Sequence, residues 1–270
     1  MNVKGRALIP AFLLLLLFNC YFFIFNEGNE FVTTYVEIQK NLFFYLNTKL
    51  SENPNLQLNI TQLGDVLILF PLLTLFIFYA PRIWGALFAS SLISLVVSAS
   101  LKKLLAVPRP AAMFDNDHFV IIGRTLSGKT SLPSGHSMTT FIVITILLFA
   151  FMPQNRIHKF IWSFFVLTLG LFIAFSRVGV GAHYPLDVII GCTIGYILAI
   201  IGIRINQKVK SSTWIKNRKY SPIFMVLFII WGCIIIKKII NTNLIIFYLS
   251  LVSLALTLYL LANSYVKKKY

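Results

Sequence analysis

The chain has 270 residues, of which 58% are hydrophobic and only 12% charged, with a mean hydropathy of +0.82. That balance is too apolar for a soluble domain and points to an integral membrane protein. The formal net charge of +16 does not indicate a nucleic-acid surface, because the basic residues stand singly or in short clusters between apolar runs and no nucleic-acid motif accompanies them.

Eight apolar runs approach the roughly 17–25 residues that a bilayer span requires. They cover residues 7–25, 65–80, 84–105, 135–152, 160–175, 186–205, 222–236 and 244–262. The basic start at Lys4 and Arg6 gives the first run the outline of a signal peptide, but no small-x-small cleavage site follows, so an uncleaved helix is expected. Cys20, Cys192 and Cys233 fall inside apolar runs without metal-ligand spacing and read as free, buried thiols.

Loop charges set an orientation. With the amino terminus inside, the inner segments hold Lys4, Arg6, Arg82, Arg156, Lys159, Arg204, Lys208, Lys210, Lys216, Arg218, Lys219 and Lys267 to Lys269, fourteen cations in all. The outer side takes all eight acidic residues: Glu27, Glu30, Glu37, Glu52, Asp65, Asp115, Asp117 and Asp187. By the positive-inside rule both termini are then cytoplasmic. Two long loops face out. In residues 26–64, Phe31, Tyr35, Leu42, Phe43 and Leu46 are spaced like an amphipathic helix on the membrane surface, placed to cover a site or guide lipid into one. Residues 111–133 join the third and fourth runs and carry Arg124 and Lys129.

Three segments at outer boundaries carry chemistry. Lys102 and Arg109, at the end of the third run, are seven apart and followed by Pro110, so two cations can lean toward one point across about two helical turns. The fourth run opens Pro133-Ser134-Gly135-His136, where a proline, a hydroxyl cap and a glycine let backbone N–H groups approach an anion beside a histidine. Between the fifth and sixth runs stands Ser176-Arg177-Val-Gly-Val-Gly-Ala-His183-Tyr-Pro-Leu-Asp187. His183 and Asp187 are four apart, so a helix starting near Tyr184 would let the carboxylate hold one imidazole nitrogen and leave the other free. Cations, backbone donors, two histidines and a carboxylate together suit phosphoryl transfer.

With these residues the chain resembles the type 2 phosphatidic acid phosphatase (PAP2) superfamily, which includes the vanadium haloperoxidases. Its motifs K-x6-RP, PSGH and SR-x5-H-x3-D are matched by Lys102 to Pro110, Pro133 to His136, and Ser176 to Asp187. The resemblance implies an all-α integral membrane protein with a six-helix transmembrane core over residues 1–205; beyond it the apolar runs and loop charges add a basic cytoplasmic loop over 206–221 and two additional helices over 222–270. It implies that His183 is the nucleophile, Asp187 its orienting partner and His136 the general acid. Lys102, Arg109, Ser134, Gly135 and Arg177 would bind phosphate, with no metal and no other cofactor. The implied activity is removal of a terminal phosphate from a lipid at the outer face of a cytoplasmic membrane. Undecaprenyl diphosphate, phosphatidylglycerol phosphate, phosphatidate and lipid A phosphates all fit. A lipid-to-lipid phosphotransferase would use the same residues. A non-catalytic lipid binder or transporter would require broken motifs, and a haloperoxidase a soluble fold. The partners expected are a lipid phosphate and the bilayer, without nucleic acid.

Gly123-Arg-Thr-Leu-Ser-Gly128-Lys129-Thr130 also satisfies the P-loop pattern. A P-loop must run into a long helix, however, and Pro133 follows too soon. Gripping a second phosphate or an acidic headgroup is the milder role open to Arg124 and Lys129.

Overall fold

The computed structural model describes residues 3, 5–25, 31–209 and 219–267. Among them are thirteen α-helices, two 3-10 turns and no strand. A short turn leads into α1 (Ile9–Phe25), and three small helices follow: α2 (Phe31–Glu37), α3 (Lys40–Leu50) and α4 (Pro54–Gln62). Next come α5 (Val66–Leu72), α6 (Phe76–Tyr79), the long α7 (Pro81–Leu105) and a single turn, α8 (Pro110–Met113). The remaining helices are α9 (Gly135–Ala150), α10 (Arg156–Gly179), α11 (Pro185–Val209), α12 (Ser221–Asn241) and α13 (Ile245–Lys267). The segment Pro81–Met113 and the helices α10, α11, α12 and α13 are long and apolar enough to cross a membrane, while α1 and α9 are shorter apolar helices.

Helix α11 is the axis of the bundle and packs chiefly on α9 and α7, with α10 and α1 beside them. Apolar burial gives little preference between a helix neighbour and lipid, so close backbone approach has to hold such helices together. Glycines on α11 permit it. A Cβ on Gly191 would stand 2.7 Å from the Ser134 carbonyl, one on Gly195 2.5 Å from the Met138 carbonyl, and one on Gly202 2.0 Å from Ser90 Oγ.

Cross-chain bonds sort the two ends of the bundle. Asn206 donates to the Arg82 carbonyl at 2.9 Å, tying the end of α11 to the start of α7, and Tyr196 donates to the Ala7 carbonyl at 2.9 Å, tying the turn before α1 to α11. At the opposite end Lys238 of α12 pairs with Asp65 at 2.6 Å.

The structure corrects the expectations in several places. Residues 65–80 do not form one span. Pro71 lies inside α5 and lacks the N–H that would bond the Leu67 carbonyl, and the chain turns through residues 73–75 before α6. The freed carbonyl is taken by the Trp231 indole of α12 at 2.9 Å, while Ser250 and Ser253 of α13 bond the Ile68 and Leu72 carbonyls. That is how a broken helix survives inside an apolar bundle. The fifth and seventh runs are longer than their apolar cores: α10 begins at Arg156, where Asn155 caps it, and α12 continues through Lys237 and Lys238. Of the three thiols only Cys192 is buried, because Cys20 and Cys233 sit on outward faces of their helices. Residues 26–30 and 210–218, with Glu27, Glu30, Lys210, Lys216 and Arg218, lie outside the described residues, as do Lys4, Lys268 and Lys269.

The outer segment is also different from a helix lying on a membrane surface. Its helices α3 and α4 pack on α10. Tyr35, Gln39, Phe43 and Asn47, spaced four apart, all turn inward and are buried, whereas Leu42 remains half exposed. Asn47 clamps this cover in place: its amide donates to the carbonyls of Val120 and Val178 at 3.0 Å each, and its Oδ1 accepts from Val120 N at 2.8 Å.

These contacts predict opposite outcomes for two glycine substitutions. Gly195→Ala meets backbone of α9 and should cost about 1–3 kcal/mol. Gly232→Ala, whose nearest neighbour is Leu254 Cδ2 at 3.8 Å, should be neutral or stabilise by up to about 1 kcal/mol through helix propensity. Thermal unfolding of both variants in detergent, followed by tryptophan fluorescence, checks the difference.

Candidate active site

The three charged segments meet at one end of the bundle. The last turn of α7 carries Lys102. The helix then stops at Ala106, whose left-handed backbone (φ 47°) sends the chain into an extended stretch. Arg109 therefore reaches the site from extended backbone between Pro108 and Pro110, anchored by its N–H on the Gly128 carbonyl at 2.9 Å. Its guanidinium donates to the Ala182 carbonyl at 3.0 Å and approaches His183 Nε2 at 3.2 Å, while Nε bonds Thr130 Oγ1 at 3.3 Å.

That contact fixes the state of His183. A guanidinium only donates, so Nε2 must present its lone pair and the ring proton must sit on Nδ1. Nδ1 faces Asp187 Oδ2 at 3.3 Å. His183 lies in the connection before α11, and its burial first, then Arg109, Arg177 and Lys102, hold its imidazole well below the usual histidine range. Its Nε2 lone pair faces Arg109.

Asp187 is completely buried and satisfied on all sides. Oδ2 accepts from Ser131 Oγ at 2.5 Å and Tyr184 N at 2.9 Å besides His183, and Oδ1 accepts from Tyr35 Oη at 2.6 Å. Four donors match the roughly four lone-pair sites of a carboxylate. Its backbone carbonyl also takes the Ser134 N–H at 3.1 Å, which ties the start of α9 to the first turn of α11.

Ser134 caps α9. Its Oγ accepts from Ser137 Oγ at 2.8 Å and Ser137 N at 3.4 Å, so both lone pairs are used and its own proton is free to donate. Gly135 follows, and a Cβ there would stand 3.6 Å from Lys102 Nζ, so the helix start and this ammonium face each other. Arg177, in the last turn of α10, is buried and donates to Thr61 Oγ1 at 2.8 Å, leaving its Nε without a partner. None of Lys102, Arg109 and Arg177 pairs with a carboxylate within 4.0 Å among the described residues.

His136 is in the first turn of α9 and lines a small pocket of about 190 Å³ with Gly64, Asp65, Ser94, Ser98 and Thr139. Arg177, His183, Lys102 and Arg109 are the charged or titratable groups whose fields bear on it. Gly64 allows the corner before α5 to sit against it, since a Cβ there would fall 2.8 Å from His136 Cβ.

Arg124 and Lys129 are exposed on the loop beside Arg109 and form no hydrogen bond or ion pair. No helix starts between residue 119 and Gly135, so the P-loop pattern lacks the helix it needs. Among the described residues no three His, Cys, Asp or Glu side chains cluster.

Sequence reasoning gave no site role to Gln39, Thr61, Thr130 or Ser131, and read Tyr35 only as part of the apolar stripe of a covering segment. Gln39 bonds Leu186 N at 3.0 Å and the Tyr35 carbonyl at 2.7 Å, fixing the turn that holds Asp187. The signal was present for part of this set. Gln39 and Asn47 interrupt the apolar stripe of an amphipathic segment at four-residue spacing, and a polar residue on such a face needs a partner.

A family model described as the PAP2 superfamily matches residues 83–211. The Lipid A 1-phosphatase of Rhizobium etli is 32% identical over 122 residues, 43% of this chain and 47% of that protein, so the chain spans about half the length of this curated relative. The crystal structure of Aquifex aeolicus LpxE superposes with a TM-score of 0.50 at 28% identity, over 62% of this chain and 95% of that one. The first transmembrane PAP2 type phosphatidylglycerolphosphate phosphatase from Bacillus subtilis gives a TM-score of 0.48 at 21% identity, over 75% and 96%. The matched span holds every motif position from Lys102 to Asp187 and closes with α11. Residues 83–211 of this multi-pass membrane chain thus carry the match to the PAP2 superfamily model, motif residues included.

Proposed function

We propose that the protein is a lipid phosphatase that hydrolyses the terminal phosphate of a membrane lipid through a phosphohistidine on His183. The observation that carries this reading is that Arg109 stands 3.2 Å from the buried His183 imidazole, on which the fields of Arg177 and Lys102 also bear, with none of the three cations paired to a carboxylate among the described residues. Gathering such cations away from water is costly, and a phosphate dianion is the ligand that offsets the cost. The name of the Rhizobium etli relative points the same way.

In this mechanism Lys102, Arg109, Arg177, the Ser134 hydroxyl and the amide at Gly135 hold the nonbridging oxygens of the phosphate. Arg109 moves from His183 Nε2 to a phosphate oxygen, which frees the lone pair. Nε2 attacks phosphorus, the N–P bond forms, and the P–O bond to the lipid breaks. His136 delivers its proton to the departing oxygen; the bound dianion offsets the cationic field and stabilises the protonated imidazole before that step. Asp187 accepts from Nδ1–H and stabilises the positive charge that the ring gains. Water then attacks phosphorus, gives its proton to His136 and releases inorganic phosphate, which restores both histidines. Developing charge is met by fixed cations and donors, the largest source of catalysis in sites of this kind.

Orientation completes the reading. The site end carries Asp65 and the opposite end Arg82 and Arg204, so the positive-inside rule puts the site on the outer face of the cytoplasmic membrane. In a cysteine-free background, cysteines at Asp117 and Lys208 test this in intact cells. Impermeant maleimide should label the first and spare the second, and the reverse pattern would refute the orientation.

Orthovanadate, which becomes five-coordinate as phosphorus does in the transition state, should inhibit strongly. EDTA should leave activity unchanged. Loss of activity in EDTA with recovery in Mg²⁺ would contradict a site built on cations alone.

The two histidines should separate by leaving group. His183→Ala should abolish turnover of every substrate, because no covalent step remains. His136→Ala should lower the rate on an alkyl phosphate by about 10² to 10⁴, yet largely spare phosphoenzyme formation from nitrophenyl phosphate, whose leaving group needs no proton. Rates on both substrates, together with acid-labile label on the protein, decide the assignment.

A further inference from the structure

The phosphate site explains how a headgroup is held but leaves the rest of the lipid without a place. Among the described residues, apolar grooves open on three sides of the bundle. Two run along α1 and α11, lined by residues such as Leu14, Leu171, Ile189 and Cys192, and neither is lined by His136, Gly135 or one of the three cations. The third lies between α7 and α12. Its floor is Phe70 and Trp84, both buried, and its walls include Leu92 and Leu95 of α7 and Leu227 and Ile230 of α12, all about half exposed or more.

This third groove is continuous with the pocket at His136. The groove, about 410 Å³, and the pocket share Val66, Ser91 and Leu95 as lining residues. The change in character along this path is ordered. It begins at the His136 imidazole, passes hydroxyls of Ser94, Ser98 and Thr139, and ends among aromatic and aliphatic side chains facing the bilayer.

In-line displacement assigns a direction to the path. If Nε2 of His183 attacks phosphorus, the leaving oxygen departs on the far side and must lie at the proton donor, His136. The pocket touches His136 but not His183, Arg109 or Arg177. We propose that the hydroxyl-lined pocket receives the polar linkage of the leaving lipid and the groove between α7 and α12 receives its apolar chain. This rests on the phosphatase reading and adds a wall to it: α12 lies beyond the residues that match the family.

Two bonds place α12 for this role. Lys238 pairs with Asp65, a lining residue of the pocket, and Trp231 donates to the Leu67 carbonyl on the groove's α5 side. Both hold α12 to α5, and the gap facing α7 stays open to the bilayer. A lipid enters sideways, keeping its chain in an apolar environment while the phosphate reaches the cations.

The test compares chain lengths on the purified full-length protein. Leu227→Trp and Ile230→Trp fill the groove without touching the pocket. Each should lower kcat/KM for hexadecyl phosphate at least fivefold more than for butyl phosphate. Equal losses on both substrates would overturn the proposal. If the wild type cleaves neither substrate, the phosphatase reading fails, and a second measurement still decides the groove. Hexadecyl phosphate carrying a mid-chain diazirine should photolabel the α12 peptide containing Leu227 and Ile230, and excess orthovanadate or inorganic phosphate should suppress the label. Labelling of α12 that persists under competition identifies ordinary bulk lipid in the groove and overturns the proposal, as does label confined to α1 and α11. Because it uses wild-type protein, this arm holds even if the tryptophan variants fail to fold.

Discussion

A carboxylate removed from water is tolerated only where its lone pairs are filled, and Asp187 fills them with groups from separate parts of the chain. Tyr35 comes from α2, Ser131 from the segment before α9, Tyr184 and His183 from the connection that leads into α11. Its backbone carbonyl adds Ser134, the cap of α9. No one of these segments can shift without leaving a buried charge short of a donor, a loss worth about 1–3 kcal/mol or more per group. The consequence is a fixed imidazole. His183 cannot rotate away while Nδ1 faces Asp187 and Arg109 approaches Nε2. Preorganisation of this kind costs nothing at the moment of reaction, because the network is completed during folding.

The cations show the opposite balance. Arg109 and Arg177 are held by neutral partners, Thr130 and the Ala182 carbonyl for the first and Thr61 for the second, and neither they nor Lys102 pair with an acid among the described residues. Neutral oxygens satisfy some N–H groups without cancelling the charge. Had Asp65 paired with Arg177, an anion entering the site would have had to break an ion pair; Lys238 occupies Asp65 instead. The arrangement sacrifices stability at the site end and retains a positive field there.

How much of this the sequence disclosed depends on the range of the interactions. Spans read well where apolar composition alone decides, as in α7, α11 and α13. The motif residues were also visible, because cations and histidines between apolar runs are conspicuous. Residues 65–80 misled because hydropathy counts side chains and ignores the missing N–H of Pro71. The cover formed by α2 to α4 was placed on the membrane surface because its apolar stripe was legible and its destination was not. What settles the destination is Tyr35 meeting Asp187, 152 residues away, and Asn47 meeting Val178, 131 residues away. Such pairs leave no local pattern. Ser131 was missed for the same reason, since a serine two residues before a proline carries no mark of the carboxylate that it will meet.

The break in the second span also explains why the last two helices belong to this architecture. Ending α4 at Gln62 and starting α5 at Val66 brings Gly64 against His136, and Asp65 caps α5 with its own side chain. The break that follows frees the Leu67 carbonyl, which lipid could not satisfy. Trp231 of α12 supplies that donor, and Ser250 and Ser253 of α13 add bonds on either side of Pro71. Thr74, in the turn between α5 and α6, meets Thr257 of α13 at 2.8 Å. The C-terminal pair is therefore the hydrogen-bonding partner that satisfies a proline-broken segment inside the bundle. Because that segment begins at Gly64 and Asp65, α12 and α13 also hold the wall that stands against His136.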